Sequence, residues 1–337
     1  MTSERRIEIA DAGKTLAAIV RALVPDVSWS KARELCASGR VTIDGAIVRD
    51  DALRVTIGQT VQVSPQGQRK LEGVITDEDI VFSDADVIVV RKPAGIMTCP
   101  YEDGDRGTLV DRVRAYLRRT TRSKDPVVGV VQRLDKDTSG ILVFARSMRG
   151  KRALDAQLRA HTVLRRYEAI VNGVARGEAT IRSQIAQDRG DGLRGSWGLR
   201  PSQKGEAPSD AKDAVTHVRA IEPLRGATLV ECRLETGRQH QIRIHLSEAG
   251  HPLVGEKVYV RDWFSGGSDA GPPPDRQSRI GPPHPTSLRA RPRIDAPRPM
   301  LHARELGFRH PADERLVRWD EPWPADFAAC VASLRAR

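Results

Sequence analysis

The hydrophobic pattern of the first 65 residues predicts a small module of helices followed by strands. In the segment TLAAIVRALV, residues 15–24, apolar side chains recur at i, i+3, i+4 and i+7, the spacing of one helical face. The segment SWSKARELCASGR predicts a second short helix, with Ser28 or Ser30 at its start and Gly39 at its end. The strings VTIDGAIV and RVTIGQTVQVSP then predict a hairpin through an Asp-Gly turn and one further strand.

These elements define a predicted domain over residues 15–65, with an N-terminal tail at 1–14 and a polar linker at 66–78. A larger unit follows at 79–337. The continuous apolar runs VIVV and ILVF predict buried strands, and RRYEAIVNGVA predicts another. The strings RGTLVDRVRAYLRRT and GKRALDAQLRAHTV predict helices, as does a short segment that ends at Gly250. Because helices and strands follow no regular βαβ period, the predicted fold class is α+β.

Two stretches of the larger unit have the composition of flexible insertions. Residues 187–212 are polar and glycine-rich, and residues 264–298 are rich in proline, glycine and arginine. Neither composition can supply a hydrophobic core. Both stretches are therefore predicted to be flexible.

Composition favours a globular protein with a polyanionic partner. The chain has 337 residues, of which 39 % are hydrophobic and 29 % are charged, and its net charge is +11. With a pI near 9.9, RNA or DNA is the first candidate partner. The alternative is a genome that simply uses arginine heavily.

Features of targeting and redox chemistry point to the cytosol. No apolar run approaches the roughly 20 residues of a membrane helix, and the N-terminus has no signal-peptide apolar region. We therefore expect a cytoplasmic protein that does not bind membranes. The four cysteines are scattered, without C-x-x-C or zinc spacing, so reduced thiols are expected. They are Cys36, Cys99, Cys232 and Cys330.

Charged residues in the string RLDKDTSG stand directly before the apolar run ILVF. Charges beside a buried strand are costly unless they lie at its edge or in a cleft. The string therefore indicates either an ordinary surface turn or a carboxylate held at the mouth of a pocket. The candidate residues here are Arg133, Asp135 and Asp137.

Further candidates are Tyr167 and the basic cluster in GRQHQIRIHL. His240 and His245 are five residues apart, which does not match a helical metal pair, and no zinc site is expected. Motifs for nucleotide hydrolysis, dinucleotide binding and serine hydrolysis are missing from the sequence. What remains is a carboxylate, an arginine and an aromatic ring, a set that needs no cofactor and suits covalent or acid–base chemistry on a planar ring. The basic cluster comprises Arg238, His240, Arg243 and His245.

Several of these strings resemble, in order along the chain, the motifs of the RluA-type pseudouridine synthases. VQRLDKDTSGILVFARS resembles the signature H-R-L-D-x-x-T-S-G, and VIVVRKPAGIMTCP resembles the opening strand with its K-P-x-G turn. RRYEAIVNG resembles the K-x-Y-x-A segment, TGRQHQIRIHL resembles T-G-R-x-H-Q-I-R-x-H, and LHARELGFRHP resembles the closing motif. The front module resembles the αL-type RNA-binding domain found in ribosomal proteins.

The resemblance implies a pseudouridine synthase fold, with a mixed and largely antiparallel central sheet beside the αL-type domain. It implies an enzyme that isomerises specific uridines without metal or cofactor and acts as a monomer. The αL-type domain favours large-subunit ribosomal RNA as the substrate, with transfer RNA as the alternative.

The resemblance also implies roles for individual residues. Asp135 would be the essential nucleophile and Arg243 its partner, while Tyr167 would be the ring stacked near the target base. Arg133 would help hold the flipped-out position open in the RNA. The remaining expected RNA contacts are Arg238 and His240 in the larger unit, and Lys31, Arg33 and Arg40 in or after the second predicted helix. An ordinary solvated face is the alternative for the last three.

Three positions depart from the usual family pattern. Gln132 replaces the histidine before R-L-D, Arg166 stands before the tyrosine where lysine is common, and Glu256 follows a glycine where aspartate is frequent. These departures leave the finer substrate assignment open. Two other classes of function stay open as well: an RNA-binding or ribosome-assembly factor, and a DNA-binding regulator. A protein that only binds RNA has no need of Asp135, Tyr167 and Arg243 together.

Overall fold

The computed structural model describes residues 3–37, 40–48, 50–63, 75–101, 105–190, 192–199, 203, 205–260 and 294–335. It divides the chain into two compact units, Met1–Val74 and Ile75–Arg337.

The N-terminal unit packs two helices against a four-stranded sheet. The apolar face predicted for the first helix is buried, with Leu16, Ile19 and Val20 in the core. Ser28 caps the second helix, because its Oγ accepts a hydrogen bond from the Lys31 amide at 3.1 Å. The predicted stop at Gly39 lies outside the described residues. The elements are α1 (Leu16–Leu23), α2 (Trp29–Ala37), β1 (Ser3–Arg6), β2 (Val41–Ile43), β3 (Ala46–Ile47) and β4 (Thr60–Val63), with the strand order β1-β4-β2-β3.

The prediction of an N-terminal tail at residues 1–14 was wrong. Ser3–Arg6 forms β1 and pairs antiparallel with β4, and the next residue, Ile7, is only 1 % exposed in the core of the unit. The string SERR has no alternation of apolar and polar residues. An edge strand does not need one, because its backbone can pair while its side chains face water. No hydrophobic pattern could therefore have identified this strand.

The larger unit is built on an eleven-stranded sheet. Its helices are α3 (Leu109–Thr120), α4 (Met148–Arg159), α5 (Gln241–Glu248) and α6 (Ala325–Leu334). Its strands are β5 (Ile80–Ser83), β6 (Val87–Lys92), β7 (Gly129–Val130), β8 (Ser139–Ala145), β9 (Leu164–Asn172), β10 (Glu178–Ala186), β11 (Gly195–Ser196), β12 (Lys212–Leu224), β13 (Ala227–Leu234), β14 (Leu301–Arg309) and β15 (Leu316–Asp320). The order is β11-β10-β12-β13-β9-β14-β8-β6-β5, with β15 beside β14 and β7 beside β8.

The sheet is mixed and largely antiparallel, as predicted. Among the described pairs only β8 and β14 run parallel. On one face of β9, Tyr167 and Ala169 pack with α3 and α5; on the other face Ile170 packs with α6. This alternation follows from the two-residue period of a strand.

The strand β8, predicted as central, is buried along all of its residues. Gly140 allows β14 to lie beside it, because a Cβ at this position would come within 2.2 Å of the Ala303 carbonyl oxygen. Its φ of +123° also favours glycine. The charged string RLDKDTSG therefore leads directly into the middle of the sheet.

Within the stretch predicted as a flexible insertion, residues 187–212, the described part contains a short strand. Gly195–Ser196 forms β11 and pairs with β10, and Ser196 donates through Oγ to Glu248 Oε2 at 2.5 Å. Polar pairing holds this stretch, and an apolar pattern could not have revealed it. Of the second predicted insertion, residues 264–293 lie outside the described residues. Arg298, at its end, is buried and bonded to Asp326. Most of the predicted linker, residues 66–74, is also outside the described residues.

Candidate active site

Asp135 lies in the loop that connects β7 to β8, and this loop is held from both sides. The buried Leu134 before it donates its amide to Thr98 Oγ1 at 3.1 Å and accepts from the same hydroxyl at 2.7 Å. After it, Arg298 donates to the Asp137 carbonyl oxygen at 3.0 Å. Asp135 is therefore fixed at the end of a buried strand, and its side chain is 23 % exposed.

Lys92 is a further support for this loop that the sequence analysis did not propose. Its Nζ is buried and donates to the carbonyl oxygens of Pro93, Lys136 and Thr138, at 2.9, 2.9 and 2.8 Å. Burial lowers the pKa of Lys92 to about 7, against the opposing effect of Asp135 and Asp137. A lysine at the end of the apolar string VIVVRK was the only available indication of this role.

Arg243 has a closer partner than the predicted one. Its Nη1 lies 4.0 Å from Asp135 Oδ2, whereas its Nε and Nη2 donate to the two carboxylate oxygens of Glu256, both at 2.8 Å. Burial acts to raise the pKa of Glu256, but the hydrogen bonds and charge of Arg243 outweigh it and keep the pKa below its usual value. Arg243 is thus held in place by Glu256, with one nitrogen left towards Asp135.

His240 and Tyr259 form a contact beside Arg243. His240 Nδ1 and Tyr259 Oη are 2.6 Å apart, and the Arg243 guanidinium lies 5.2 Å from the centre of the Tyr259 ring. Burial lowers the pKa of His240, against the raising effect of Asp135. His240 has a φ of +58° at the start of α5, an uncommon conformation for a residue other than glycine. Tyr259 was not among the predicted site residues.

Tyr167 is buried in β9, between Cys232 of β13 and Ala303 of β14. Burial raises the pKa of Tyr167 to about 12. The hydroxyl therefore stays protonated at neutral pH. Its ring lines the same cleft as Asp135.

The cleft has two adjoining lobes. The main lobe, of about 500 Å³, brings together five of the predicted residues: Arg133, Asp135, Tyr167, Arg238 and His240. The second lobe, of about 450 Å³, shares several of them and adds Met97, Cys99 and Tyr101. Both volumes lie in the usual range of small-ligand sites. Of this set, Arg238 also donates from Nε to the Asp213 carbonyl oxygen at 2.9 Å.

Comparison with known proteins identifies the family. The model of the RNA pseudouridylate synthase family matches residues 86–248, and the model of the S4 domain matches residues 15–61. The ribosomal large subunit pseudouridine synthase D of Pseudomonas aeruginosa is 35 % identical over 327 residues, which cover 96 % of this chain and 92 % of that protein. This chain belongs to the RNA pseudouridine synthases.

Other relatives agree with this assignment. The protein of the same name from Zymomonas mobilis is 33 % identical over 90 % of the synthase described here and 88 % of its own length. Among solved structures, human RNA pseudouridylate synthase domain containing 4 matches with a TM-score of 0.53 at 20 % identity, covering 74 % of this chain and 90 % of that one. Human RNA pseudouridylate synthase domain containing 1 matches with a TM-score of 0.51 at 23 % identity. The match covers 75 % of this chain and 86 % of that one. These two structures support the fold.

In the S4 domain of the synthase, two predicted RNA contacts already have acidic partners. Lys31 Nζ lies 2.7 Å from Glu34, and Arg33 Nε lies 3.5 Å from Asp51. Arg40 is half-buried. Of Lys31 and Arg33, Arg33 has the more exposed side chain, at 65 % against 49 %.

His245, a member of the basic cluster, is not part of the cleft. It is fully buried, with Ser183 Oγ and Thr216 Oγ1 each 2.9 Å from its ring nitrogens. Burial lowers its pKa to about 4. Its imidazole is therefore neutral and structural.

The family pattern K-x-Y-x-A corrects one sequence assignment. The lysine position two residues before Tyr167 belongs to Arg165, not to Arg166. Arg165 lines the main lobe, and its Nη2 donates to the Glu235 carbonyl oxygen at 2.6 Å. Arg166 lies on the opposite face of β9, as strand alternation requires. It forms ion pairs there with Glu168, Glu231, Glu305 and Asp320.

The described residues contain neither a cluster of metal ligands nor a helix able to cross a membrane. No group of three or more histidine, cysteine, aspartate or glutamate side chains is placed to hold a metal ion within that part of the chain. No helix within the described ranges is long and apolar enough to cross a membrane.

Proposed function

We propose that the synthase converts uridine to pseudouridine in large-subunit ribosomal RNA, with Asp135 as its essential nucleophile. The observation that carries the assignment is that Asp135 and Tyr167 line one cleft, with the Arg243 guanidinium 4.0 Å from the Asp135 carboxylate. A nucleophilic carboxylate must remain ionised in a site that excludes water. A nearby cation favours that charged form.

The reaction begins at the glycosidic bond between ribose C1′ and uracil N1. Asp135 attacks C1′, or otherwise assists cleavage, and uracil leaves with the bonding electrons. The ring then rotates and C5 attacks C1′, which breaks the bond between C1′ and the Asp135 carboxylate where one has formed and regenerates the free carboxylate. C5 then loses its proton and N1 gains one, so the net change is a proton moved from C5 to N1. Every bond change occurs within the nucleotide and Asp135, so the proposed route uses no metal or cofactor.

The other cleft residues receive roles in this scheme. The target base must leave its stack to reach Asp135, and an aromatic ring can receive it. Tyr167 supplies that ring. The exposed Arg133 and the half-buried Arg238 and His240 contact the RNA around the flipped nucleotide.

The substrate assignment rests on the relatives and on the S4 domain. The relatives from Pseudomonas aeruginosa and Zymomonas mobilis are both named ribosomal large subunit pseudouridine synthase D. In our proposal the S4 domain, with Lys31, Arg33 and Arg40, binds the ribosomal RNA and the larger unit performs the chemistry. A monomer in the cytoplasm, where ribosomes are assembled, fits this function.

The test is to map pseudouridines in total RNA from cells with and without the gene. We expect one or a few sites in large-subunit ribosomal RNA to disappear and to return when the wild-type gene is restored. The Asp135→Asn protein should not restore them. Loss of sites in transfer RNA alone would overturn the substrate assignment, and restoration by Asp135→Asn would overturn the nucleophile.

A further inference from the structure

Arg165 is a buried arginine in the main lobe of the cleft that has no acidic partner. Only 8 % of the residue is exposed. Within the part of the chain that the structure describes, it forms no ion pair with a carboxylate, and its Nε is buried without a hydrogen-bond partner. Among the described residues only Nη2 has hydrogen-bond acceptors, the carbonyl oxygens of Glu235 at 2.6 Å and Leu234 at 3.5 Å.

Such an arrangement is energetically unfavourable in the free protein. Removing a charge from water costs several kcal/mol in real proteins unless a counter-ion and hydrogen bonds replace the water. Here two backbone carbonyls provide only part of that replacement. A guanidinium kept in this state indicates a site prepared for an anionic ligand.

The surroundings hold the guanidinium in one place. It lies against the backbone of Gly237, where a Cβ would come within 2.7 Å of Arg165 Nη1. Arg165 and Tyr167 are two residues apart on β9, so their side chains leave the strand on the same side, about 6.5 Å apart. A nucleotide whose base lies near Tyr167 can therefore place a backbone phosphate at Arg165.

We propose that Arg165 binds a backbone phosphate of the target nucleotide and so anchors the flipped uridine beside Asp135. This inference rests on the proposed function and specifies how the same site holds its substrate. Arginine fits the role because its planar fork can form two parallel charge-assisted hydrogen bonds with a phosphate. Binding would supply the counter-charge that Arg165 lacks in the free enzyme.

The chain offers a matched control in the neighbouring Arg166. It is the same residue type in the same strand, but it lies on the opposite face and is paired with carboxylates such as Glu305, 2.5 Å away. Arg165→Met and Arg166→Met remove the same charge from adjacent positions. Only the first should change the way the enzyme binds RNA.

The experiment uses the full-length protein in the Asp135→Asn form, so that binding is measured without turnover. The probe is a synthetic fragment of ribosomal RNA that spans the uridine mapped as above. A series of fragments carries one uncharged methylphosphonate each, at the phosphates on either side of that uridine. Dissociation constants are measured for the parent, Arg165→Met and Arg166→Met proteins.

We expect one methylphosphonate to weaken binding to the parent protein by roughly 10- to 100-fold, the range of a hydrogen bond to a charged group. Arg165→Met should weaken binding of the unmodified fragment by a similar factor and should show no further loss with that methylphosphonate. Arg166→Met should keep the full methylphosphonate effect. Arg165→Lys, which keeps the charge but loses the fork, should fall between the parent and Arg165→Met.

Two results would overturn the inference. One is a parent protein that is insensitive to every methylphosphonate near the target, a result that does not depend on any variant folding. The other is a loss of RNA affinity in Arg165→Met that adds fully to the effect of each methylphosphonate. Arg165 would then only hold the backbone at Leu234 and Glu235. Failure of the proposed function is distinct, because the unmutated enzyme would then form no pseudouridine in the unmodified fragment.

Discussion

The two faces of β9 each carry an arginine, but the two arginines differ in their ion pairs. On one face Arg166 lies among Glu168, Glu231, Glu305 and Asp320. On the other face Arg165, its neighbour in sequence, lines the cleft and has no ion pair within the described ranges. The protein's own carboxylates pair with the Arg166 guanidinium. In our proposal a phosphate of the substrate pairs with the Arg165 guanidinium.

The face that carries Arg166 continues this pattern of ion pairing. Arg304 pairs with Asp320 at 2.5 Å, and the Trp323 indole donates to Glu168 at 2.5 Å. In the cleft, by comparison, Asp135 Oδ2 is 4.0 Å from Nη1 of Arg243. Changes on the cleft face should therefore affect the reaction, and changes on the opposite face should affect stability. The following predictions test that division.

The largest effect is expected for Asp135→Asn. The substitution keeps the shape of the side chain but removes its charge, so turnover should be abolished while RNA affinity stays within a few-fold. Single-turnover assays of pseudouridine formation, together with binding isotherms, measure both quantities. Measurable product from this variant would contradict the nucleophile assignment, and loss of wild-type activity with EDTA would contradict a metal-free route.

Tyr167→Phe should have the next largest effect on the reaction. Because burial raises its pKa to about 12, the hydroxyl is protonated at neutral pH. If that hydroxyl takes part in proton transfer, its removal should slow the chemical step by about 10²–10⁴. The measurement is the single-turnover rate with saturating enzyme. A fully active variant would show that the ring serves only as a platform.

Arg166→Met should lower stability and leave the chemical rate unchanged. It removes a cation from beside Glu305, whose side chain is 1 % exposed and which keeps Arg318 as a second partner. The substitution should therefore cost roughly 1.5–3 kcal/mol of unfolding free energy. Arg165→Met removes a charge that has no acidic partner, so its thermal midpoint should change far less. Thermal or urea unfolding of the two variants side by side makes the comparison. Equal losses of stability would contradict the division between the two faces.

Acid should destabilise both faces through one buried histidine on each. Burial lowers the pKa of His245, on α5, and of His302, near Phe327 of α6, to about 4. An unfolded histidine has a pKa near 6.5, so the unfolded state binds more protons between pH 6.5 and 4 and stability falls in that range. We expect a loss of about 2 kcal/mol per histidine between pH 7 and 5. His245→Gln should remove about half of this dependence in urea unfolding at several pH values.

The smallest effects are expected in the S4 domain. Lys31 and Arg33 already have acidic partners, Glu34 and Asp51, so each alanine variant should reduce the salt slope of RNA binding by one unit or less. Deleting residues 15–65 should weaken binding more than it slows the chemistry. A truncated protein with unchanged affinity and salt slope but a lower melting temperature would favour a folding role for the domain.

Periodicity and ordered motifs made much of this protein predictable. The apolar spacing in TLAAIVRALV correctly predicted α1, and the run ILVF predicted the buried strand β8. The ordered motifs predicted the family and the mixed sheet, and they brought Asp135, Tyr167 and Arg238 to attention before their common cleft was known. Such elements can be predicted from a short stretch of sequence, because the periodic pattern of apolar residues indicates which face of a helix or strand is buried.

The pairing of charges was decided by tertiary structure alone. The resemblance implied Arg243 as the partner of Asp135, but in the folded protein Arg243 pairs more closely with Glu256. Folding also places Arg165 in the cleft and Arg166 among carboxylates on the opposite face of β9. The edge strand β1 and the loop support by Lys92 were invisible for the same reason. Lys92 bonds to a carbonyl 46 positions away and Arg166 to a carboxylate 139 positions away. A sequence states which charges a chain carries, but only the packed sheet decides which of them meet and which, like Arg165, face the cleft without an acidic partner among the described residues.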